Sequence, residues 1–331
     1  MKMLKVHGSN NDFFILDGKN LDKQLTEAEL SILARKVCDR KVGLHGGADG
    51  ILFVTASGHT GVVGKMRVIN ADGSEASMCG NGIRTVARYL SEREHAAYFK
   101  IETMYADLEV KKATPFAPDV QAFDAEISPV SFDAVDLKMH LAGKTKLVND
   151  YIPELSETLK FSAVAVPNPH LIAFVSHDVL TGPELGRIAA YLNNGQNLLF
   201  PDGVNVSFVE IQKPRQIFVR TYERGVGYTN ACGTAMSASS LMYALLYPEQ
   251  VKLEDLISVF NPGGMVKTRV HQRTNGAYWM SLIGNATFVA TVEVAQSAAL
   301  EGDFKDISWK ETGEQAAYED FATAISKGEQ E

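Results

Sequence analysis

Residues 70–84 read Asn-Ala-Asp-Gly-Ser-Glu-Ala-Ser-Met-Cys-Gly-Asn-Gly-Ile-Arg and contain the feature around which the rest of the chain is organised. A single thiol, Cys79, is followed by Gly80 and Gly82. Apolar side chains then recur at positions 83, 86, 87 and 90, a spacing that predicts one face of an amphipathic helix. Cys79 is therefore predicted to lie at a helix N-terminus, where free N–H groups and the helix dipole stabilise a thiolate and bind a carboxylate.

A second stretch repeats this arrangement in the other half of the chain. Residues 229–236 read Thr-Asn-Ala-Cys-Gly-Thr-Ala-Met, so that Cys232 precedes Gly233 and Thr234, and an apolar helix is predicted from about residue 236 to 247. A lone Cys-Gly pair is most simply a buried structural cysteine. Two thiols in matching contexts instead favour two similar lobes that face each other, each carrying a catalytic cysteine.

Length and composition are those of a globular chain. Its 331 residues suffice for about two domains, and 45% hydrophobic and 22% charged residues are ordinary values. No apolar run approaches the roughly 18 residues of a membrane span, and the start lacks the apolar region of a signal peptide. Three cysteines, Cys38, Cys79 and Cys232, predict neither a disulfide framework nor a zinc site. We therefore expect a cytoplasmic protein without a membrane partner.

The net charge of −8 is concentrated near the C-terminus. Residues 297–331 hold nine acidic and three basic side chains, which leaves the rest of the chain nearly neutral. Without a basic patch, no nucleic-acid partner is predicted, and the acidic tail is interpreted as a solvated extension. Within this tail, residues 314–326 predict a modest helix with Tyr318, Phe321 and Ile325 on one face.

Two long motifs carry a resemblance to a known family. Residues 78–84 read Met-Cys-Gly-Asn-Gly-Ile-Arg, and residues 223–234 read Glu-Arg-Gly-Val-Gly-Tyr-Thr-Asn-Ala-Cys-Gly-Thr. Together they closely resemble the diaminopimelate epimerase family, and the resemblance runs from residue 1 to about 296. It implies an α+β fold of two pseudo-symmetric lobes, each a curved, mostly antiparallel sheet around a central helix, with the active site in the cleft between them. It also suggests a homodimer.

The resemblance and the repeat together predict a domain organisation. Residues 1–130 plus about 284–296 are expected to form an N-terminal lobe that carries Cys79, and residues 131–283 a C-terminal lobe that carries Cys232. Residues 297–331 lie outside the resemblance as an acidic C-terminal extension.

The chemistry that the two thiols permit is inversion of an amino-acid α-carbon. This requires a base on one face and an acid on the other, and a thiolate and a thiol supply that pair. Backbone N–H groups at Gly80-Asn81 and Gly233-Thr234 can hold the charge that spreads onto the substrate carboxylate. No nucleotide-binding glycine motif and no cluster of metal ligands is present in the sequence, so neither a cofactor nor a metal is predicted.

The remaining polar residues are predicted to recognise the substrate. A second, unreacting amino-acid head needs a planar cation for its carboxylate and an acid for its ammonium group, and Arg224 and Glu223 are adjacent residues of those types. The resemblance adds amide contacts from four asparagines: Asn11, Asn70, Asn168 and Asn205. The leading hypothesis is interconversion of LL- and meso-diaminopimelate in lysine and peptidoglycan precursor biosynthesis.

Two alternatives remain open at this point. One is a cofactor-independent racemase of another amino acid, such as histidine, on the same fold. The chain departs from the usual family pattern at Asn10 and Pro167, where glycine is common, and in a longer loop at residues 43–50, where His45 is not expected to contact substrate. The other is a non-enzymatic thiol protein, such as a redox sensor or metal-binding module, which would not need asparagines and an Arg-Glu pair on separate strands.

Overall fold

The computed structural model describes residues 1–141 and 143–328, which divide into two compact units. The first unit comprises Met1–Ala125 together with the C-terminal residues from Ile283 onward, and the second comprises Glu126–Leu282. The last residues of the acidic extension, 329–331, lie outside the described part of the chain.

The N-terminal part of the first unit contains eight strands and two α-helices among the described residues. In chain order they are β1 Lys2–Gly8, β2 Asn11–Asp17, α1 Glu27–Val37, β3 Gly50–Thr55, β4 Val62–Asn70, β5 Glu75–Ala76, α2 Gly80–Glu94, β6 Tyr98–Glu102, β7 Asp107–Ala117 and β8 Val120–Ile127, the last of which crosses the unit boundary. Helix α1 begins with a complete capping box, in which Thr26 and Glu29 satisfy each other's backbone N–H groups.

The elements that follow belong to the second unit, except that the last of these strands, β17, ends in the first unit. They are β9 Asp150–Ile152, β10 Ser156–Val166, β11 Asn168–Phe174, α3 His177–Thr181, α4 Glu184–Leu192, β12 Asn205–Lys213, β13 Gln216–Glu223, β14 Gly227–Thr229, α5 Gly233–Leu246, β15 Leu256–Asn261, β16 Gly264–Gln272 and β17 Tyr278–Asn285. The chain then returns to the first unit with β18 Thr287–Val294, α6 Gln296–Glu301, β19 Ile307–Glu311 and α7 Glu314–Ser326.

The two units repeat one order of strand pairing. In the first, β1 pairs antiparallel with β2, β2 parallel with β3, β3 antiparallel with β4, and β4 parallel with β6. In the second, β10 pairs antiparallel with β11, β11 parallel with β12, β12 antiparallel with β13, and β13 parallel with β15. The register agrees as well. The third residue of β2, Phe13, lies opposite the first residue of β3, Gly50, and the third residue of β11, His170, lies opposite the first residue of β12, Asn205. The predicted α+β class and the internal repeat are confirmed.

Each unit packs its sheet against the helix that follows a cysteine. Helix α2 buries Ile83, Val86, Ala87 and Leu90 in the core of the first unit, the face that the apolar spacing predicted. Helix α5 is buried over most of its length, and it packs on β10, β11, β12, β13 and β16. Because both helices are packed on several strands of their own unit, the sheet fixes where each helix N-terminus lies.

The C-terminal extension is structured as part of the first unit. Strand β19 pairs antiparallel with β18, and helix α7 packs on β18 and β7. The predicted helix over residues 314–326 is confirmed with the same bounds, and its Tyr318 and Phe321 are buried. No helix in the described residues is long and apolar enough to cross a membrane.

Candidate active site

Cys79 is the N-cap residue of helix α2, as the sequence predicted. Its backbone is extended (φ −136°, ψ 115°), and its Sγ accepts a hydrogen bond from the Gly82 backbone N–H at 3.3 Å. When Cys79 is protonated, the same Sγ donates to Asn11 Oδ1 at 3.6 Å, and that oxygen also accepts a hydrogen bond of 3.2 Å from Asn81 Nδ2. Four predicted site residues, Asn11, Cys79, Gly80 and Asn81, thus meet at one helix end.

Two glycines in this half of the site are required by close packing. A Cβ atom on Gly82 would lie 2.7 Å from Leu52 Cδ2, and one on Gly50 would lie 2.4 Å from the carbonyl oxygen of Ile69. A larger residue at position 82 would force the Leu52 side chain or helix α2 to shift, and one at position 50 would clash with the backbone of β4. Gly82 therefore allows the start of α2, and with it Cys79, to lie close to the sheet.

Asn11 is oriented by a carboxylate that the sequence did not single out. Its Nδ2 donates to Asp49 Oδ2 at 2.5 Å, which directs its Oδ1 toward Cys79. Asp49 also accepts from Arg40, which bonds Asp12 as well. The Asn11 amide is thus fixed by a network of opposite charges around the start of β2.

Asn70 ends strand β4 directly opposite Gly50 of β3. Its Nδ2 donates to the Ser74 Oγ at 2.9 Å, and its backbone N–H donates to the Ser74 carbonyl at 2.8 Å. The residue closes the turn that leads to Cys79.

Arg84 lies one helical turn into α2, and its side chain has no exposed surface. Its guanidinium donates to the carbonyl oxygens of Gly80 and Asn285 and to Asn81 Oδ1, at 2.9, 3.3 and 3.0 Å, and none of these partners is a carboxylate. Burial lowers the pKa of Arg84 to about 10, and the negative charge of a Cys79 thiolate opposes that shift. A buried cation near the thiol favours the thiolate form.

The second unit places Cys232 at the same position, as the N-cap of helix α5 with an extended backbone (φ −115°, ψ 108°). Its side chain is more deeply buried than that of Cys79, and its Sγ lies 3.5 Å from Thr234 Oγ1. Burial raises the pKa of the Cys232 thiol well above its usual value, and the negative charge of Glu223 adds to this, whereas hydrogen bonds from Thr234 and the Ala235 backbone oppose it. Cys232 is therefore a thiol at neutral pH.

A buried histidine connects two of the predicted residues. His170 Nε2 lies 3.0 Å from Asn168 Oδ1 and 3.1 Å from Thr234 Oγ1. Burial lowers the pKa of His170 to about 3, and the charge of Arg224 adds to this effect, so the ring is neutral. Because Asn168 Oδ1 can only accept, the proton of the neutral ring is on Nε2.

Three predicted site residues, Asn205, Glu223 and Arg224, lie at the same end of the paired strands β12 and β13. Asn205 begins β12 opposite His170, and its Oδ1 accepts the backbone N–H of Arg224 at 2.9 Å. Arg224 is exposed and donates from Nη1 to the carbonyl oxygen of Asp202 at 2.8 Å. Glu223 ends β13 and interacts with Cys232.

The structure also places Cys38 and His45, for which no catalytic role was predicted. Cys38 is buried in the core, where burial raises the pKa of its thiol to about 12. His45 stacks on Trp309 with ring centroids 4.0 Å apart. Cys38 is thus a packing residue.

Sequence reasoning did not assign roles to Arg84, Asp49 and His170. Arg84 ends the motif at residues 78–84, Asp49 lies in the loop at residues 43–50, and His170 lies two residues after Asn168, so each position carried a signal. The missing information was burial, since a guanidinium that bonds no carboxylate and a neutral histidine become informative only once they are known to be enclosed. In the described part of the chain, no cluster of three or more His, Cys, Asp or Glu side chains could hold a metal ion.

Solved structures share the fold at low sequence identity. A PhzF-family phenazine biosynthesis protein from Bacillus anthracis aligns with a TM-score of 0.63 and 18% identity, over 89% of this chain and 99% of that chain. A hydroxyproline epimerase from Agrobacterium vitis aligns with a TM-score of 0.56 and 13% identity, over 86% and 88% of the two chains. At these identities the likeness concerns the fold alone, which is the α+β class that these proteins have in common.

Sequence relatives narrow the class to one family. The family model described as diaminopimelate epimerase matches residues 3–116 and 162–289. Proteins named diaminopimelate epimerase are 71% identical in Ligilactobacillus salivarius, over 99% of this chain and 100% of the relative, and 59% identical in Lactiplantibacillus plantarum, over 99% of both. The chain belongs to the diaminopimelate epimerase family. The similarity to these relatives continues into the C-terminal extension, which the matched segments of the family model leave out.

Proposed function

We propose that this protein interconverts LL- and meso-diaminopimelate, with Cys79 and Cys232 as the acid and base that exchange the α-proton. Its family and its similarity to relatives of that name over nearly the full chain support this reaction. The reaction serves lysine and peptidoglycan precursor biosynthesis, in the cytoplasm and without a cofactor. A homodimer is the proposed assembly.

The observation that carries the mechanism is the equivalence of the two cysteines. Each is the extended N-cap residue of a central helix, and each follows the same succession of paired strands. Two-base epimerisation needs two groups of one chemical type that exchange roles when the direction of reaction reverses. When the substrate α-carbon loses its proton, negative charge spreads onto the neighbouring carboxylate. The helix N-termini beside both thiols offer N–H groups that can stabilise this charge.

The environments of the two thiols favour one resting protonation state. Cys79 accepts the Gly82 N–H and lies near the buried Arg84 cation, whereas Cys232 is buried beside the Glu223 carboxylate. In our proposal the resting enzyme holds Cys79 as thiolate and Cys232 as thiol. Proton transfer to and from the substrate then reverses these two forms.

Residues of the second unit are proposed to recognise the unreacting head of the substrate. Arg224 presents an exposed guanidinium suited to a carboxylate, and Glu223 supplies an acid suited to an ammonium group. Asn168 and Asn205 begin neighbouring strands at the same edge and can hydrogen-bond the same head. Asn11, Asn70 and the N-terminus of α2 are proposed to contact the reacting head.

Solvent isotope exchange tests this function directly. The purified protein is incubated in D₂O with LL-diaminopimelate and, separately, with histidine, glutamate, lysine and proline, and Cα deuterium is measured by NMR. We expect exchange and formation of the meso isomer with diaminopimelate only. Exchange with histidine at a higher kcat/KM would replace the proposal with an amino-acid racemase, and no exchange with any substrate would point to a non-enzymatic thiol protein.

A further inference from the structure

The C-terminal helix α7 is joined to helix α2 by a buried ion pair. The Arg88 guanidinium donates from Nη1 and Nη2 to the two carboxylate oxygens of Glu314, at 2.6 and 2.7 Å. Glu314 also accepts the backbone N–H of Phe288 at 3.0 Å, and only 8% and 18% of the Arg88 and Glu314 side-chain surfaces are exposed. A bidentate pair of this kind fixes both distance and orientation, so the start of α7 is held against α2.

One turn further on, α7 covers a set of buried polar side chains. Tyr318 is 1% exposed, and its ring meets His7 edge-on with centroids 4.6 Å apart. Ser9 is fully buried and interacts with the Tyr318 phenol. Burial raises the pKa of Tyr318 to about 12 and lowers that of His7 to about 4, so both side chains are neutral at pH 7.

Hydrogen bonds lead from this cluster to Arg84. Asn285 Nδ2 donates to His7 Nδ1 at 3.3 Å, Asn285 Oδ1 accepts the Ser9 N–H at 2.7 Å, and the Asn285 carbonyl accepts from Arg84 Nε at 3.3 Å. Arg84 is also confined by two glycines, since a Cβ on Gly8 or Gly284 would lie 2.8 or 2.7 Å from its guanidinium. The guanidinium is therefore closely confined, and one of its hydrogen-bond partners, Asn285, also bonds the side chains beneath α7.

We propose that Tyr318 is a positioning residue for the reaction: by sealing the His7–Asn285–Arg84 cluster from water, it keeps the Arg84 charge unscreened by solvent where the guanidinium bonds Gly80 and Asn81, next to Cys79. A charge interaction is several times stronger in a dry interior than in water, because solvent screens it. Arg84 interacts electrostatically with Cys79, Tyr318 and His7, and of these Cys79 is the one proposed to change its ionisation in the reaction. The C-terminal extension is thus part of the Cys79 half-site. The inference rests on the proposed role of Cys79 as a base.

The test is the pH profile of Cys79 alkylation, measured by peptide mass spectrometry after pulses of iodoacetamide in the absence of substrate. For Tyr318→Ala we expect the Cys79 midpoint to rise by about one pH unit, which slows its alkylation roughly tenfold below that midpoint. Tyr318→Phe retains the ring against His7 and should restore the wild-type profile. If Tyr318→Ala does not fold, Tyr318→Met fills the space without a ring and carries the same comparison.

Phe321→Leu is the control, because Phe321 is also a buried aromatic residue of α7; its ring is tilted against Phe116 with centroids 5.5 Å apart, and against Tyr318 with centroids 6.1 Å apart. It should lower the melting temperature without moving the Cys79 profile. An unchanged profile in folded Tyr318→Ala, or an equal shift in Phe321→Leu, overturns the inference. Absence of diaminopimelate turnover in the wild-type protein would instead defeat the proposed function, and the alkylation comparison would be unaffected by it.

Discussion

The sulfur of Cys79 accepts a hydrogen bond from the backbone N–H of Gly82, and so occupies the place that an oxygen takes in an ordinary helix N-cap. A negative charge on the sulfur strengthens this bond, because the acceptor is then ionised. Cys232, at the matching position of the other unit, has Thr234 and the charge of Glu223 as neighbours instead. The two thiols are equivalent in backbone position and different in their tendency to ionise.

Removing either thiol should abolish epimerisation. Cys79→Ala and Cys232→Ala each delete the acid or base of one substrate face, and a positioned acid or base contributes about 10²- to 10⁴-fold to the rate. Serine at either position is a poorer base and should leave only a trace of activity. Conversion of LL- to meso-diaminopimelate, followed by chiral chromatography, measures the loss.

Cys38→Ala is the control for these variants, because Cys38 is buried in the core of the first unit and lies at the C-terminus of α1, not at a helix N-terminus. It should retain activity in whatever fraction of the protein is folded. Full activity in either active-site alanine variant would contradict the two-base mechanism.

Arg224→Lys should lose specificity for a substrate with two amino-acid heads. Lysine keeps the charge but not the planar, bidentate geometry, and a charge-assisted hydrogen bond contributes about 1.5–3 kcal/mol, so kcat/KM should fall roughly tenfold or more. Arg224→Met removes the charge as well, so its kcat/KM should fall further. Arg187→Lys, at a surface pair with Glu184, should behave as wild type. Unaltered kcat/KM in Arg224→Met would show that Arg224 does not bind substrate.

Asp49→Ala should impair catalysis through Asn11. Without the Asp49 carboxylate, the Asn11 amide loses the partner that turns its Oδ1 toward Cys79 and Asn81. We expect a loss of about tenfold in kcat/KM, the value of one charged hydrogen bond. Asp39→Ala is the matched control, since the Asp39 carboxylate accepts the backbone N–H groups of Lys41 and Val42 in a nearby turn. Equal activities in the two variants would disprove the orienting role.

Stability should fall in acid because of His7 and His170. Burial holds the pKa values of these residues at about 4 and about 3, whereas both are near 6.5 in the unfolded chain. Between these values only the unfolded state binds the proton, so each histidine lowers the free energy of unfolding by about 1.4 kcal/mol per pH unit below 6.5. Above pH 6.5 both histidines are neutral in the folded and in the unfolded chain, so their protonation no longer lowers the free energy of unfolding.

Urea unfolding at pH 7 and pH 5 measures this effect. His7→Gln should lose less stability between the two pH values than wild type, by on the order of 2 kcal/mol. His177→Gln, at an exposed position, is the control and should follow wild type. A His7→Gln variant with the wild-type pH dependence would mean that His7 is protonated in the folded protein.

Several features of the protein follow from local sequence. The apolar spacing after Cys79 predicts a helix, and the structure begins α2 immediately after that residue. The capping box of α1 and the helix at residues 314–326 are likewise readable, because caps and helical periodicity depend on residues within a few positions of one another. The same holds for the repeated Cys-Gly motif, which reflects an internal repeat of strand pairing.

Tertiary structure alone decided which polar groups lost contact with water. Arg84 and Asn285 are distant in sequence, and no local pattern says that a guanidinium is enclosed without a carboxylate partner. Nor does the acidic composition of the tail predict that Tyr318 packs on His7, since a few buried apolar contacts outweigh the solvation of the surrounding charges. Local sequence specifies where a helix begins, whereas the ionisation of a thiol at that helix depends on burial, which only the folded chain determines.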